Sequence, residues 1–316
     1  MKTNSTKFKL FSGNSNPAFA KKVAEHLDSK LADCSISRFA DGEIQIEINE
    51  TVRGCHCFVI QSTCPPSNEH YMELFLTLDA LRRASVSEIT VVMPYYGYAR
   101  QDRKVSPRAP ISAKAVAQLC ETSGANRLLS VDLHSTQIQG FFNIPVDNLF
   151  AVPVLAKEWL EKEKLQGEDC VVISPDAGGV ERARAFASKL KCNIGIIDKQ
   201  RINPNKAKAL QVIGDVEGKV AIIIDDMIDT AGTLTQAAEV LLKNKAKAVY
   251  AMATHPILSD PAIERIENSC LAKVFVTDTI PLKKSSKKIH VLSVSKLVSQ
   301  AIYNIQNNQS VSSLFQ

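Results

Sequence analysis

The chain has 316 residues, of which 45% are hydrophobic and 22% are charged, and its formal net charge is +5. These proportions are ordinary for a soluble globular protein of about two domains, and a charge this small and dispersed does not indicate nucleic-acid binding. Eight cysteines without a disulfide framework, no apolar run of membrane-spanning length and no signal-peptide core predict a cytoplasmic protein with neither a membrane nor a nucleic acid as partner.

Strand and helix patterns alternate from one end of the chain to the other. Short apolar runs predict strands at 9–11, 44–48, 58–60, 89–93, 128–131, 171–173, 194–197, 220–224, 248–252, 274–276 and 291–293. Amphipathic stretches predict helices at 19–31, 69–84, 112–122, 154–164, 180–190, 234–243 and 295–305. This alternation is typical of an α/β protein with mostly parallel sheets. Only the strand at 44–48 alternates strictly with polar residues, which predicts an exposed or antiparallel strand.

The number of predicted strands favours two sheets over one. The boundary falls near Phe150, where no low-complexity linker interrupts the chain. We therefore expect two closely packed α/β domains, 1–150 and 151–316.

Two loops in the first half have side chains suited to a nucleotide. The turn at 38–43 offers one aromatic face and two acids, which suits a purine, although an ordinary glycine turn before a strand has the same composition. The loop at 98–108 is the most basic in this half, and arginines there can clamp triphosphate oxygens or stack on a base.

An aspartate and a histidine follow the predicted strand at 128–131. Asp132 and His134 are two positions apart, so we expect them to project the same way and to suit a divalent ion or a phosphate chain. Gly140 permits close approach of the backbone. A lone histidine is more often structural, but the polar neighbours favour a functional role here.

Two loops in the second half could bind phosphate or metal. The loop at 174–179 has two glycines able to cradle a phosphate, and Asp176 can hold Mg²⁺. Lys199 and Arg201 follow the next strand and could form a lid that neutralises charge during phosphate transfer. Simple surface charge is the alternative interpretation of these two cations.

The segment at 220–233 carries the strongest functional pattern. A buried strand ends in Asp225 and Asp226, and the sequence Thr230-Ala-Gly-Thr then leads into a helix. Helix amino termini at the carboxyl ends of strands bind phosphates, and paired carboxylates accept hydroxyls, so this segment suits a sugar phosphate. No lysine follows the glycine, which distinguishes the loop from a nucleotide P-loop. An ordinary capped strand end remains the alternative.

Together these segments resemble the ribose-phosphate pyrophosphokinase family, the phosphoribosyl pyrophosphate (PRPP) synthetases of the phosphate-activated class. The most specific part is 132–147, and 98–102, 110–114, 174–179 and 225–233 also match. The resemblance covers nearly the whole chain. It implies two domains of the phosphoribosyltransferase type I fold, a homohexamer, and transfer of the β,γ-pyrophosphoryl group of Mg-ATP to the 1-hydroxyl of ribose 5-phosphate.

The resemblance also implies roles for the matching residues. It assigns the 5-phosphate of the sugar to Asp229, Thr230, Ala231, Gly232 and Thr233, and its hydroxyls to Asp225 and Asp226. It assigns ATP to Arg100 and Gln101, with Phe39, Asp41, Gly42 and Glu43 reaching the adenine from a neighbouring subunit. It assigns Mg²⁺ to His134 and Asp176, with Asp132 as a further candidate, and the catalytic-loop cations to Lys199 and Arg201. Inorganic phosphate, the activator, falls on a regulatory anion site of Arg53, Arg108, Ser310 and Ser312.

Two other functions remain open. A purine or pyrimidine phosphoribosyltransferase would share the sugar-phosphate loop, but it has no use for the basic loop at 98–108 or the segment at 132–147. A non-catalytic partner of synthetase complexes would need none of Lys199, Arg201, His134 and Asp176.

Overall fold

The structure, a computed structural model, describes residues 8–200 and 209–315. The chain divides into two compact units. The first holds the residues up to Phe150, the segment Thr279–Pro281 and the chain from Val294 onward, and the second holds Ala151–Asp278 and Leu282–Ser293. Both units are α/β with mostly parallel sheets, so the predicted fold class is confirmed. No helix within the described ranges is both long and apolar enough to cross a membrane.

The first unit is built on a parallel sheet. Its elements up to Phe150 are β1 (Phe8–Ser12), α1 (Pro17–His26), β2 (Cys34–Arg38), β3 (Ile44–Ile48), β4 (His56–Ile60), α2 (Ser67–Arg83), β5 (Glu88–Met93), α3 (Ser112–Ser123), β6 (Arg127–Val131) and β7 (Val146–Leu149). The sheet order is β1-β4-β5-β6-β7, and each neighbouring pair is parallel. Every residue of β4 is buried, as expected for a strand covered on both faces.

A separate antiparallel hairpin is formed by β2 and β3. The polar alternation of β3 becomes an alternation of half-buried and exposed side chains, which confirms the prediction of an exposed or antiparallel strand. The sequence did not predict β2, because two serines and an arginine weaken its strand pattern. Pairing with β3 decides its conformation.

The second unit contains the larger sheet. Its elements are α4 (Val152–Lys162), β8 (Cys170–Ser174), α5 (Val180–Leu190), β9 (Asn193–Gln200), β10 (Ala209–Ile213), β11 (Val220–Ile228), α6 (Gly232–Lys243), β12 (Ala248–Pro256), α7 (Ala262–Glu267), β13 (Val274–Thr277) and β14 (Ile289–Leu292). The order among described strands is β10-β9-β8-β11-β12-β13-β14. β9 and β10 pair antiparallel, and the other neighbours are parallel. β8 and β11 are therefore direct neighbours.

Several elements differ from the sequence predictions. β11 runs to Ile228 rather than ending at residue 224, because its ladder with β12 continues through Asp225↔Ala253 and Ile228↔Pro256. Asp225 and Asp226 thus lie within β11. The sequence does not indicate that the strand extends past residue 224, because only the pairing with β12 shows it. β7, β10 and α7 were not predicted, since each is short and lacks a sustained apolar period.

The carboxyl-terminal helix α8 (Ser295–Gln306) corrects the predicted domain 151–316. α8 belongs to the first unit, because its buried face, which includes Val298 and Ile302, packs on the helix α1. The hydroxyl of Ser62 also donates to the carbonyl of Thr279 at 2.6 Å, which ties the short segment Thr279–Pro281 to the same unit.

Replacing Ile302 by alanine should lower the free energy of unfolding by about 2–5 kcal/mol, because a fully buried side chain leaves a cavity. Chemical denaturation measures the change. Tyr303, the next residue, is 48% exposed, and Tyr303→Ala is the matched control, with an expected change below about 1 kcal/mol. Equal losses in both variants would contradict the assignment of the buried face.

Candidate active site

The loop after β8 holds the carboxylate of Asp176 in place. Its Oδ1 accepts hydrogen bonds from the backbone N–H groups of Gly178 at 2.9 Å and Gly179 at 3.1 Å. Ser174 Oγ donates to the backbone carbonyl of Asp176 at 2.6 Å. A Cβ at Gly179 would lie only 2.9 Å from that Oγ, so the turn requires glycine there. Asp176 itself is exposed. The loop therefore presents an oriented carboxylate to a ligand.

An acidic pair lies within β11, the strand next to β8, just beyond the last residue that pairs with β8. The side chain of Asp225 is 36% exposed and that of Asp226 is 6% exposed, so Asp225 is the more accessible acceptor. The backbone N–H of Asp226 donates to Asp225 Oδ1 at 2.8 Å. Desolvation by the surrounding protein, followed by the charge of Asp226, raises the pKa of Asp225 well above its ordinary value.

Arg182, which the sequence analysis missed, lies beside this pair. Its Nη1 is 3.5 Å from Asp225 Oδ1 and 3.7 Å from Asp226 Oδ1, and its side chain is 17% exposed. Arg182 is in the first turn of α5, immediately after the Asp176 loop. Because β8 and β11 are neighbours, this crossover helix brings the guanidinium to the acidic pair. No periodicity in the sequence signals this contact; only the strand order does.

The turn into α6 has the geometry of a phosphate site. Ala231, which precedes the helix, is in the left-handed region with φ 59°, and no side chain caps the first helical turn. Arg265 Nη1 donates to the carbonyl of Thr230 at 2.9 Å and fixes the turn from outside, another contact that the sequence did not indicate. Asp229 is half-buried, whereas the hydroxyl-bearing residues Thr230 and Thr233 are exposed. Backbone N–H groups and the helix dipole favour an anion there.

In the first unit, the β2–β3 turn carries the predicted adenine contacts. Phe39 is 52% exposed, and Asp41, Gly42 and Glu43 are also exposed. The turn is closed by backbone hydrogen bonds from Phe39 to Glu43 (2.9 Å) and from Gly42 to Phe39 (3.0 Å). Gly42 has a φ of +94°, a left-handed backbone conformation that favours glycine. The aromatic ring is thus exposed on a turn that backbone hydrogen bonds close.

The basic loop is anchored by side-chain hydrogen bonds. Gln101 accepts a hydrogen bond from the hydroxyl of Ser112 at the start of α3. Asp102 accepts from Gln137 Nε2 at 3.1 Å, which joins this loop to the segment at 132–147. Arg100, which directly precedes these anchors, is exposed.

Asp132 and His134 do not share one environment. β6 ends at Val131, and Asp132 has φ 44°, so the strand alternation behind the joint prediction stops there. Asp132 is buried and His134 is exposed. The expectation that both project alike is therefore wrong, and His134 is the more accessible of the two to a metal or phosphate.

The remaining predicted residues are placed as follows. Arg53, Arg108, Ser310 and Ser312 are exposed in the first unit. Lys199 is a backbone partner of Leu210 in the β9–β10 ladder, and Arg201 lies outside the described residues. Within the described ranges, no three or more His, Cys, Asp or Glu side chains are grouped to hold a metal ion. The structure thus brings the sugar-phosphate candidates to one edge of the second sheet, while the nucleotide candidates lie in the first unit.

Comparison with known proteins gives consistent matches along the chain. Residues 8–124 match the N-terminal domain of ribose phosphate pyrophosphokinase, and residues 198–316 match the phosphoribosyl synthetase-associated domain. The ribose-phosphate pyrophosphokinase of Oceanobacillus iheyensis is 55% identical over 97% of this chain and 96% of its own, and that of Bacillus subtilis is 53% identical with the same coverage. The crystal structure of phosphoribosylpyrophosphate synthetase from Mycobacterium smegmatis superposes with a TM-score of 0.91 at 41% identity, covering 96% of this chain and 100% of that one.

Gly179→Ala should disturb the Asp176 loop, because the new Cβ displaces Ser174 Oγ from its hydrogen bond and costs about 1 kcal/mol or more of stability. Gly178→Ala is the matched control, since its Cβ would meet Asp176 Oδ1 at an ordinary 3.4 Å. Thermal denaturation of both variants measures the difference. If the two midpoints shift equally, the close approach at Gly179 does not constrain the loop.

Proposed function

Because the chain belongs to the ribose-phosphate pyrophosphokinase family, we propose that it transfers the β,γ-pyrophosphoryl group of Mg-ATP to the 1-hydroxyl of ribose 5-phosphate, giving PRPP and AMP. The observation that carries the proposal is the edge of the second sheet. There an acidic pair on β11, of which Asp225 is accessible, is followed within a few residues by the amino terminus of α6, which no side chain caps. One ligand with hydroxyls at one end and a phosphate at the other suits both features.

Ribose 5-phosphate would lie along this edge. Its 5-phosphate would accept hydrogen bonds from the backbone of 229–233 and the hydroxyls of Thr230 and Thr233, where the helix dipole adds to the attraction. Its ring hydroxyls would donate to Asp225 and Asp226, and charge-assisted bonds of this kind are about twice as strong as neutral ones. The sugar is thereby held at both ends, which fixes the direction of its 1-hydroxyl.

ATP would be held by groups from the first unit. Arg100 is exposed on the anchored basic loop and could bind phosphate oxygens, with Gln101 beside it. The exposed ring of Phe39, with Asp41, Gly42 and Glu43 on the same turn, would contact an adenine from a neighbouring subunit. A homohexamer would supply that neighbour.

Mg²⁺ suits the donors that the site presents. It prefers oxygen ligands and usually keeps several waters, binding through one or two carboxylates and the substrate's phosphates. The exposed, oriented carboxylate of Asp176 meets that requirement, and His134 and Asp132 are further candidates. When bound, Mg²⁺ would neutralise charge on the reacting phosphates.

Lys199 and Arg201 would stabilise charge that develops during transfer. Lys199 belongs to β9, Arg201 lies outside the described residues, and phosphoryl transfer depends mostly on positioning and on electrostatic stabilisation. In-line attack by the 1-hydroxyl on the β-phosphorus would release AMP. Activation by inorganic phosphate at Arg53, Arg108, Ser310 and Ser312, all exposed, and a cytoplasmic location complete the proposal.

The test of the reaction is the product set from ATP, ribose 5-phosphate, Mg²⁺ and inorganic phosphate with purified protein. We expect AMP and PRPP in equal amounts, only when the sugar phosphate is present, and loss of turnover when EDTA removes Mg²⁺. ADP as the product would mean transfer of the γ-phosphate alone. A nucleotide formed from PRPP and a free base would support a phosphoribosyltransferase, and no turnover would support a non-catalytic partner.

Lys199→Ala should lower kcat by about 10²–10³, because one preorganised charge is lost from the transition state. Steady-state kinetics with both substrates saturating measures it. Lys189→Ala, which changes an exposed lysine in the last turn of α5, is the control and should leave kcat unchanged. Near-normal turnover of the Lys199 variant would remove that residue from the mechanism.

A further inference from the structure

Ionisation of both carboxyl groups of the acidic pair on β11 is electrostatically unfavourable. To offer charge-assisted hydrogen bonds to two ribose hydroxyls, Asp225 and Asp226 must both be ionised, although they are adjacent in sequence and Asp226 is almost fully buried. Desolvation and a like charge both favour protonation of a carboxyl group. A protonated carboxyl group keeps acceptor capacity but no longer offers the stronger charge-assisted hydrogen bonds.

The charged groups around Asp225 show which one favours its ionised form. Asp226 acts on it from its own strand and opposes ionisation, whereas Arg182 acts on it from α5 and favours ionisation. On the other side, β12 places the uncharged Ala253 opposite Asp225. The ladder with β8 ends two residues before Asp225, at Ile223↔Ile173. Arg182 is thus the cation acting on Asp225 among the described residues, and its Nη1 faces both carboxylates.

We propose that Arg182 is a positioning residue of the sugar site, which favours the ionised form of the Asp225–Asp226 pair and aligns it so that both carboxylates can accept hydroxyls of ribose 5-phosphate. The proposal deepens the proposed function and rests on it. A guanidinium suits the task because it stays charged at every relevant pH and can face two carboxylates at once. With its side chain mostly shielded from water, the interaction is screened less than a surface ion pair.

The chain offers a matched set of variants. Arg182→Gln removes the charge, Arg182→Lys keeps the charge without the fork, and Arg184→Gln removes an exposed charge two residues along the same helix. For each, the pH dependence of kcat/KM for ribose 5-phosphate is measured at saturating Mg-ATP between about pH 6 and pH 9.5. Calorimetric titration with ribose 5-phosphate alone gives Kd. The substrate's own phosphate titrates equally with every variant and cancels in ratios to the unmodified protein.

We expect Arg182→Gln to weaken ribose 5-phosphate binding about tenfold at pH 7 and to move the acid limb of the profile up by about one pH unit. The sign follows from the lost cation: without it the pKa of Asp225 rises further, so the ionised pair forms only at higher pH. The deficit should therefore narrow towards pH 9.5. Arg182→Lys should keep the position of the acid limb, Arg184→Gln should match the unmodified protein, and the KM for ATP should not change in any of them.

A uniform loss across the pH range in Arg182→Gln, with Arg182→Lys equally impaired, would overturn the proposal and leave Arg182 as a packing residue. The same applies if Arg182→Gln does not differ from Arg184→Gln. If the glutamine variant fails to fold by circular dichroism, the lysine variant decides: an unmoved acid limb supports the proposal, and a moved one overturns it. Failure of the proposed function is distinguishable, since the unmodified protein would then form no AMP and PRPP at any pH.

Discussion

The parallel pairing of β8 with β11 is the constraint on which the candidate sugar-phosphate site depends. Their register, from Val220↔Cys170 to Ile223↔Ile173, puts both strand ends at the same edge of the sheet. Chain connectivity alone then places the glycine loop after β8 and the acidic pair of β11 at that edge. α5 starts directly after the first loop, so a cation in its first turn reaches the carboxylates of the second strand. Parallel α/β sheets commonly bind ligands at such edges, because side chains from separate segments converge there.

Much of this site could be predicted from the sequence, for identifiable reasons. Buried parallel strands are continuous apolar runs, so the strand before Asp225 and its functional end were both visible, and the glycines of the Asp176 loop marked a tight turn. What remained hidden depends on which strands are neighbours. The sequence does not specify that β8 lies beside β11, and so it could not pair Arg182 with Asp225 or Arg265 with the Thr230 carbonyl. Short or polar elements such as β2 and β10 were missed because tertiary pairing, rather than local pattern, decides them.

The two aspartates predicted as Mg²⁺ candidates illustrate a different limit of sequence-based prediction. Asp176 and Asp132 both follow a strand. Asp176 is exposed on a loop whose backbone amides orient it, whereas Asp132 is buried and itself has a left-handed backbone conformation. Strand alternation predicts side-chain direction only while the strand continues, and β6 stops at Val131. An exposed carboxylate that backbone donors already hold in place loses little further conformational freedom when a ligand binds. This is what preorganisation means in physical terms.

The return of α8 to the first unit has a consequence for how the protein is made. A chain emerges from the ribosome amino terminus first, at about 5–20 residues per second, and domains generally fold as they appear. Here the surface of α1 that α8 covers must wait until the whole second unit has been synthesised. Phe19 and Val23, fully buried in the finished fold, belong to that helix. Until α8 has been synthesised, the nascent first unit leaves this face of α1 uncovered, and transiently exposed apolar surface of this kind favours aggregation.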